Sequence, residues 1–401
     1  MVTATLIIKD EVNVKIEGLD LNERKELTNK FKYEVPGARY MPAVRLGRWD
    51  GKVGFFQLGG STFINLLPEI IPYLEGQGYD LNIEDFREYQ TQFEFSQVTE
   101  QTFSHINWPD KHPIAGQPIV LRDYQIEIIN KFLENPQSLQ EIATGAGKTL
   151  ITAALSYSCE QHGRTIVIVP NKSLVTQTEA DYVNMGLDVG VYFGDRKEFG
   201  RTHTICTWQS LNILLKGSRN HEVDITIHEF LEDVVCVMVD EVHMAKADAL
   251  KTLLTGVMAH IPIRWGLTGT IPKEEFERMS LRCSLGDVLG KLSASELQDQ
   301  GVLANCHVNV LQLIDHVEYK DYQSELKYLL ETEGRLDYIS TLVSNIIESG
   351  NTLILVDRIA PGQELARRIP GSVFVSGATK AKDRKDEYDL VATEDAKVII
   401  A

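Results

Sequence analysis

The feature that most constrains the fold of this chain is a glycine-rich loop between an apolar segment and a helix-like segment. Residues 138–142 predict a strand, and the loop after it reads Ala143-Thr144-Gly145-Ala146-Gly147-Lys148-Thr149. Glycines let backbone N–H groups close around phosphate oxygens, and the N-terminus of the following helix favours negative charge. The usual pattern G-x-x-x-x-G-K-[ST] lacks its first glycine here, because Ile142 takes that place, so a chance glycine turn is the alternative.

A second segment supplies the acidic residues that a phosphate-binding loop needs. Residues 234–239 are apolar throughout, as in a central parallel strand, and Asp240 and Glu241 follow at the carboxyl end. We expect Lys148 to reach the β- and γ-phosphates of ATP, and Thr149 and Asp240 to hold Mg²⁺. Glu241 is then placed to orient and deprotonate the attacking water. The alternative for the two acids is solvated surface charge. The predicted catalytic residues are Lys148, Asp240 and Glu241.

The pattern of apolar residues divides the chain into four segments. From residue 119, short apolar strands alternate with helices, which predicts an α/β fold with a parallel sheet covered by helices. The segments are a small α+β domain that binds nucleic acid at 1–95, a proline-containing linker at 96–118, an ATP-binding parallel-sheet domain at 119–285, and a partial second domain of that kind at 286–401. Further strands are expected at 5–9, 12–16, 165–169, 189–193, 204–207, 264–267, 352–356, 373–375 and 397–401, and helices at 21–31, 66–77, 361–368 and 384–392.

The chain is acidic as a whole but contains one basic segment. Its formal net charge is −17, whereas residues 24–52 carry eight Lys and Arg side chains against three acidic ones. A nucleic-acid-binding surface must therefore be local. The five cysteines are scattered without a C-x-x-C pair, which argues against a disulfide framework or zinc site and favours a reducing cytosol. No apolar run reaches the length of a membrane span, and the N-terminus does not resemble a secretory signal.

The basic segment predicts a β-hairpin with one face suited to nucleic acid. Asp50-Gly51 is a favoured type I′ turn dipeptide, and pairing outward sets Trp49 opposite Lys52. Alternation then gives an apolar face that packs on the core, with Val44, Leu46, Val53 and Phe55. The other face mixes cations with aromatics, which suits phosphate contact and base stacking. A solvated hairpin with a half-buried Trp is the alternative. The candidate nucleic-acid residues of this segment are Arg45, Arg48, Trp49, Lys52 and Phe56.

Several short motifs, taken in order, resemble those of the superfamily 2 helicases. Asp240-Glu241-Val242-His243 resembles their motif II, and Leu121-Arg122-Asp123-Tyr124-Gln125 resembles their adenine-recognising Q-motif. The resemblance implies RecA-like motor domains that use ATP and Mg²⁺. It implies an ATP site of Arg122, Gln125, Thr144, Gly145, Ala146, Gly147, Lys148 and Thr149. It also implies nucleic-acid contacts at Asn171, Lys172, Thr207, Trp208 and Gln209, and residues that couple the γ-phosphate to domain closure at His243, Thr268, Gly269 and Thr270.

Residues 40–52 narrow the resemblance to the UvsW helicases of T-even-type phages, and it covers essentially the whole chain. It implies an ATP-dependent DNA helicase or translocase that remodels forks, recombination junctions and R-loops in phage recombination, repair and replication. The expected partners are branched or duplex DNA, RNA–DNA hybrid, and single-strand-binding or recombination proteins, with no membrane. We expect a monomer in the cytoplasm, which is the host cytoplasm if a phage encodes the chain.

The family pattern is incomplete towards the C-terminus. Residues 397–401 resemble the strand before motif V, and the Q-x-x-G-R-x-x-R pattern of motif VI does not occur. We therefore expect the chain to stop inside its second motor domain and to hydrolyse ATP weakly, because an arginine finger contributes about 10³–10⁵ in rate. Two alternatives stay open: an ATP- and DNA-binding module with little hydrolysis, and an RNA helicase, which the DEVH form favours less than DEAD would.

Overall fold

The computed structural model describes residues 2–89, 93–110, 112, 114–221, 223–244, 247–314, 316–347, 350–377 and 397–401. Two compact units are present, of which the first ends at Cys306 and the second begins at His307. The first unit contains an N-terminal module, residues 2–89, and a motor domain, which comprises the described residues from 93 to 306. All of the predicted site residues lie in this first unit.

The N-terminal module combines a mixed four-stranded sheet and a separate two-stranded sheet with helices, which agrees with the predicted α+β class. Its strands are β1 (Val2–Ile8), β2 (Asn13–Glu17), β3 (Lys32–Glu34), β4 (Lys52–Gly54), β5 (Ser61–Phe63) and β6 (Tyr79–Asp85), and its helices are α1 (Leu21–Lys30), α2 (Pro42–Arg45) and α3 (Leu67–Gly76). The sheet has the order β5-β2-β1-β6, with β1 antiparallel to β2 and parallel to β6. Alternate residues of β1 and β2 are buried together with Leu27 of α1 and Ile70 of α3.

The hairpin predicted around Asp50-Gly51 is wrong. β4 pairs antiparallel with β3, which sets Lys52 opposite Glu34, and the residues before the turn form α2, which starts at Pro42. Proline is favoured at the first position of a helix and cannot donate to a strand ladder. The predicted assignment of the two hairpin faces is therefore also wrong. Leu46, which was expected in the core, is exposed, and Phe56, which was expected to face nucleic acid, is fully buried.

The motor domain is built on an eight-stranded sheet that is parallel except at one edge. Its strands are β7 (Gln137–Ile142), β8 (Arg164–Val169), β9 (Val189–Phe193), β10 (Arg196–Lys197), β11 (His203–Thr207), β12 (Val234–Asp240), β13 (Ile263–Thr268) and β14 (Asp287–Leu292). Its helices are α4 (Asp123–Leu133), α5 (Lys148–Cys159), α6 (Lys172–Asn184), α7 (Trp208–Asn220), α8 (Ile227–Phe230), α9 (Ala247–Thr255), α10 (Glu275–Leu285) and α11 (Ala294–Asp299). The order is β10-β9-β11-β8-β12-β13-β7-β14, and only β10 is antiparallel to its neighbour. Apolar cores cover both faces, so the central strand β12 is buried until its last residue.

The motor domain extends beyond both of its predicted boundaries. β14 pairs with β7 in the same sheet, so the predicted end of the domain at residue 285 is wrong. Residues 96–118 were predicted to be a linker, yet Val98 and Phe103 are buried in the motor core. Asn130 of α4 bonds both the N–H and the carbonyl of Val98, at 2.8 and 2.9 Å. The prolines of this segment indicated a linker, whereas its apolar side chains fix it to the domain.

The second unit is a small α/β arrangement. Its helices are α12 (Tyr322–Glu331), α13 (Glu333–Ile346) and α14 (Ile359–Arg368), and its strands are β15 (Thr352–Ile354), β16 (Val373–Phe374) and β17 (Val398–Ile400). The strands form a parallel sheet of order β15-β17-β16. The helix predicted at 384–392 lies outside the described residues. No helix in the described part of the chain is long and apolar enough to cross a membrane.

Helix α10 belongs to the cores of both the N-terminal module and the motor domain. Phe276 is buried in the core of the module, where its ring centroid lies 5.8 Å from that of Phe55, while Leu285 is buried in the motor core. The Asn65 amide of the module donates to Gln137 Oε1 at 2.8 Å and to the Arg282 carbonyl at 3.1 Å. The module is therefore fixed along the helix that follows β13.

Candidate nucleotide and nucleic-acid sites

The glycine-rich loop lies between β7 and α5 and has the geometry of an anion cradle. Gly145 and Gly147 have φ angles of 89° and 80°, in the left-handed region that glycine tolerates. A Cβ on Gly147 would stand 2.7 Å from Gln125 Nε2, so a side chain at this position would have to displace the Gln125 amide. Helix α5 begins at Lys148, and the unpaired N–H groups of its first turn are available to a phosphate.

Two side chains of α4 hold the loop from the other side. The Gln125 amide accepts from the Arg122 N–H at 3.0 Å and donates to the Ala146 carbonyl at 3.1 Å. The Tyr124 hydroxyl donates to the same carbonyl at 3.1 Å. Gln125 was predicted to bind the adenine base, which stays a prediction. The structure also indicates a second role for Gln125, because its amide joins the start of α4 to the phosphate loop by hydrogen bonds.

The structure brings Lys148 together with Asp240, the last residue of β12, and with Glu241, which follows it, at the carboxyl edge of the sheet. The Lys148 ammonium forms an ion pair with Glu241 Oε1, and Glu241 Oε2 accepts from the Gly269 N–H at 3.2 Å. The Glu241 backbone has φ 50°, and its N–H donates to Asp240 Oδ1 at 2.9 Å. Burial raises the pKa of Asp240 to about 6, although the charge of Lys148 opposes this shift. A cation at this place would favour the ionised carboxylate.

The side chains present fit a Mg²⁺ ion that would take only some of its ligands from the protein. No cluster of three or more metal-ligating side chains occurs in the described part of the chain. The available donors are the Thr149 hydroxyl at the phosphate loop and the Asp240 carboxylate. Mg²⁺ prefers oxygen ligands and commonly takes one or two from the protein, with waters and phosphate oxygens completing its shell. Thr149 and Asp240 would hold it.

Glu241 contacts His243, which is hydrogen-bonded to the loop after β13. His243 Nδ1 lies 3.4 Å from Glu241 Oε2 and 2.6 Å from Thr268 Oγ1. The Thr268 hydroxyl donates to the Thr270 carbonyl at 2.9 Å, so it accepts from His243, whose Nδ1 carries the proton. The same hydroxyl oxygen accepts from the Thr270 N–H at 3.2 Å. The residues predicted to couple the γ-phosphate to movement are thus in contact.

A cavity of about 680 Å³ opens beside the phosphate loop and includes residues that the sequence analysis missed. Arg122, Gln125 and Thr149 line it, and so do Trp108 and His112, whose rings stack at 4.0 Å with an interplanar angle of 11°. Trp108 and His112 fall in the segment that was predicted to be a linker. The signal that could have found them is an aromatic pair at i and i+4 just before the Q-motif.

Comparison with known proteins agrees with this geometry. The family described as "Type III restriction enzyme, res subunit" matches residues 118–273. The ATP-dependent DNA helicase uvsW of Enterobacteria phage T4 is 22% identical over 410 residues, covering 94% of this chain and 76% of that protein. The DNA 3'-5' helicase XPB of Kineococcus radiotolerans is 26% identical over 291 residues, covering 69% of this chain and 49% of that protein. This chain therefore spans three quarters of one relative and half of the other.

The T4 protein is also a structural neighbour. One crystal structure of T4 UvsW has a TM-score of 0.57 at 19% identity and covers 100% of this chain and 80% of that one. A second has a TM-score of 0.56 at 20% identity and covers 72% of this chain and 99% of that one. The chain is similar to the superfamily 2 helicases, and the match to the helicase family model lies in its motor domain. The predictions of this family, of a RecA-like fold and of an enzyme of the ATP-dependent helicase class are confirmed.

The predicted nucleic-acid residues of the helicase motor lie side by side. β8 and β11 are neighbours, with Val169 opposite Thr207, so the loops after them share one edge. Asn171 caps α6 by accepting from the Leu174 N–H at 3.0 Å, and Thr207 caps α7 by accepting from the Ser210 N–H at 3.3 Å. Both motifs therefore present a helix N-terminus, which suits a phosphate backbone. Lys172 and Gln209 are exposed there, and Trp208 is half-buried.

The basic segment of the N-terminal module keeps its cations at the surface in a different arrangement from the predicted one. Arg45, Arg48 and Lys52 are exposed, and Trp49 is half-buried with its indole N–H donating to the Lys52 carbonyl at 2.9 Å. The Lys32 ammonium pairs with Asp50 at 2.6 Å. Phe56 is removed from the candidate set because it is part of the core. The four other residues stay predictions for nucleic-acid contact.

Proposed function

We propose that this chain is an ATP-dependent DNA helicase or translocase that remodels branched DNA, namely replication forks, recombination junctions and RNA–DNA loops. The observation that carries the ATPase half is the meeting of Lys148, Asp240 and Glu241 beside the phosphate loop. The name of the T4 relative, ATP-dependent DNA helicase, supports the DNA half. Roles in recombination, repair and replication, partnership with single-strand-binding or recombination proteins, a monomeric state and a cytoplasmic location belong to the same proposal.

Each group of side chains at the site has a different role in ATP hydrolysis. The loop N–H groups and Lys148 bind the triphosphate, and Thr149 and Asp240 hold Mg²⁺, which when bound neutralises the phosphate oxygens. Glu241 takes the proton of the attacking water, while the Gly269 N–H holds its second oxygen in place. The bonds from His243 to Thr268 and on to Thr270 carry the state of the γ-phosphate to the loop that leads into α10.

ATP turnover measured with branched DNA, single-stranded DNA and RNA of equal length tests the proposal. We expect branched DNA to stimulate turnover most and Lys148→Ala to abolish it. Stimulation by RNA alone would point to the RNA helicase alternative.

The second candidate is an ATP- and DNA-binding module with little hydrolysis. Equilibrium binding of ATP and branched DNA without stimulated turnover would favour this candidate over the motor.

A further inference from the structure

The N-terminal module carries an exposed apolar tip, defined here as residues 39–46. Tyr40, Leu46 and Met41 expose 68%, 64% and 41% of their surface. The tip is a folded element, because a short 3-10 turn at Ala38–Tyr40 leads into α2, and Ala38 beneath it is buried. The Arg39 guanidinium lies 4.7 Å from the centre of the Tyr40 ring, so the aromatic side chain is held by a cation. The exposure of three large apolar side chains within the seven residues from Tyr40 to Leu46 indicates a binding surface.

The cations around the tip lack acidic partners. Arg39, Arg45, Arg48 and Lys52 make no ion pair with any acidic side chain that the structure describes, whereas Lys32 beside them is paired with Asp50. These four charges stand on a chain whose net charge is −17. A local excess of unneutralised cations on an acidic protein selects a polyanion, and nucleic acid is the polyanion that also offers flat surfaces to an aromatic ring.

The tip lies near the carboxyl edge of the motor sheet. Glu34–Gly37 at its base, and Arg39 and Tyr40 of the tip itself, line a cavity of about 520 Å³ together with residues 273–276. These last residues follow the Thr268-Gly269-Thr270 loop after two further residues. Because β13 ends at Thr268, this is the carboxyl edge of the sheet, where Lys148, Glu241 and the Asn171 and Thr207 motifs also lie. The ring of Phe276 is packed in the core of the module, so the tip has a fixed base.

We propose that Tyr40, flanked by Met41 and Leu46, stacks on the terminal base pair at the branch point of a DNA junction, while the surrounding cations bind the phosphates on either side. This inference rests on the proposed function and names the part of the substrate that the tip recognises. A linear duplex whose ends are both closed offers no open base face, whereas a branch point does. Apolar side chains that enter a base step unstack it, and stacking on an aromatic ring tolerates any sequence. The tip therefore supplies branch selectivity and the cations supply affinity.

The test compares the dissociation constants of the full chain for a three-way junction and for a closed linear duplex of equal length, across a series of salt concentrations. We expect Tyr40→Ala to lower the preference for the junction about tenfold and to leave the salt slope unchanged. Tyr40→Phe should keep the preference, since it keeps the ring. Tyr322→Ala is the matched control, because Tyr322 is 69% exposed and lies in the second unit.

Either of two results would overturn the inference: a wild-type chain with no preference for the junction, or a Tyr40→Ala variant that keeps the preference in full. Failure of the proposed function is a separate outcome, because it would remove DNA-stimulated ATP turnover from the wild type whatever the junction preference. Since Tyr40 is exposed, its replacement should not disturb folding, and an unchanged thermal transition verifies this.

Discussion

Lys148 and Glu241 form an ion pair across the mouth of the phosphate loop. The ammonium expected to bind the γ-phosphate is neutralised by the carboxylate expected to activate the attacking water. The Gly269 N–H holds the other carboxylate oxygen, and His243 lies 3.4 Å from it. A triphosphate that enters the loop must take Lys148 away from Glu241, which frees the carboxylate to accept a proton. We propose that the same contact keeps the carboxylate from acting as a base until the nucleotide binds.

The first prediction concerns Glu241→Gln. The amide still fills the site but no longer neutralises Lys148, and it does not repel the triphosphate. We expect ATP to bind at least as tightly as to the wild type and hydrolysis to fall by about 10²–10⁴-fold, the usual contribution of a general base. Titration with a fluorescent ATP analogue and steady-state turnover measure the two quantities. Clearly weaker binding in Glu241→Gln would show that the ion pair does not compete with the nucleotide.

The second prediction separates two roles of Gln125. If the amide serves only to recognise adenine, Gln125→Ala should weaken ATP binding and leave GTP binding as it was. The bonds from Gln125 to the Arg122 N–H and the Ala146 carbonyl instead indicate that the side chain also fixes the loop. We therefore expect affinity for both nucleotides to fall about tenfold or more, as for a lost buried hydrogen bond. Calorimetric titration of ATP and GTP into both proteins is the measurement, and an unchanged GTP affinity would leave adenine recognition as the sole role.

The nucleotide site could be predicted from sequence because its signals are local. The apolar strand before Asp240 and the glycines before Lys148 each determine their own conformation within a few residues. Parallel strands bring their carboxyl ends to one edge, which explains why these distant residues meet. The central strands of the motor were placed correctly for the same reason, since a strand that is apolar on both faces has few other places to lie.

The hairpin prediction for the basic segment was wrong because the strand that pairs with β4 is distant in sequence. Asp50-Gly51 is a strong local turn signal, and Gly51 does have a positive φ of 76°. The strand after it nevertheless pairs with Lys32–Glu34 rather than with its own neighbour, and Asp50 is bound to Lys32. Trp108 and His112 were missed for a related reason. Their cavity is closed by α6 residues such as Asp181, which no local pattern connects to them.

The third prediction is that the N-terminal module and the motor domain unfold together. Phe276 follows the motor strand β13 along the chain but packs against Phe55, and the Lys251 ammonium lies 4.0 Å from the Phe55 ring. Replacing a buried phenylalanine by alanine costs about 3–5 kcal/mol. We expect Phe276→Ala to lower the free energy of unfolding by that order in a urea titration followed by circular dichroism.

The control for that change is Phe86→Ala, which removes an exposed ring of the same module and should alter stability by less than about 0.5 kcal/mol. If Phe276→Ala produced a separate early transition and left the main one in place, the module and the motor domain would be independent units.

The fourth prediction is a pH dependence that comes from Glu11. Burial raises the pKa of this carboxyl group to about 7, although Arg87 at 3.7 Å and Arg264 favour its charged form. One carboxylate oxygen is buried and without a hydrogen bond among the described residues. Between the ordinary value of 4.5 and the folded value near 7, the folded chain binds more protons than the unfolded one. Stability contributed by Glu11 is therefore present below pH 4.5 and is lost as pH rises through 7.

Glu11→Gln should remove this loss, because the amide needs no ionisation. We expect the variant to exceed the wild type in stability at pH 8 by on the order of 2 kcal/mol and to match it at about pH 4. Chemical denaturation at both values of pH measures the difference. Glu84→Gln, at an exposed position on β6, is the control and should not alter the pH dependence. A Glu11→Gln variant that is less stable than the wild type at pH 8 would mean that the contact with Arg87 outweighs the cost of burying the charge.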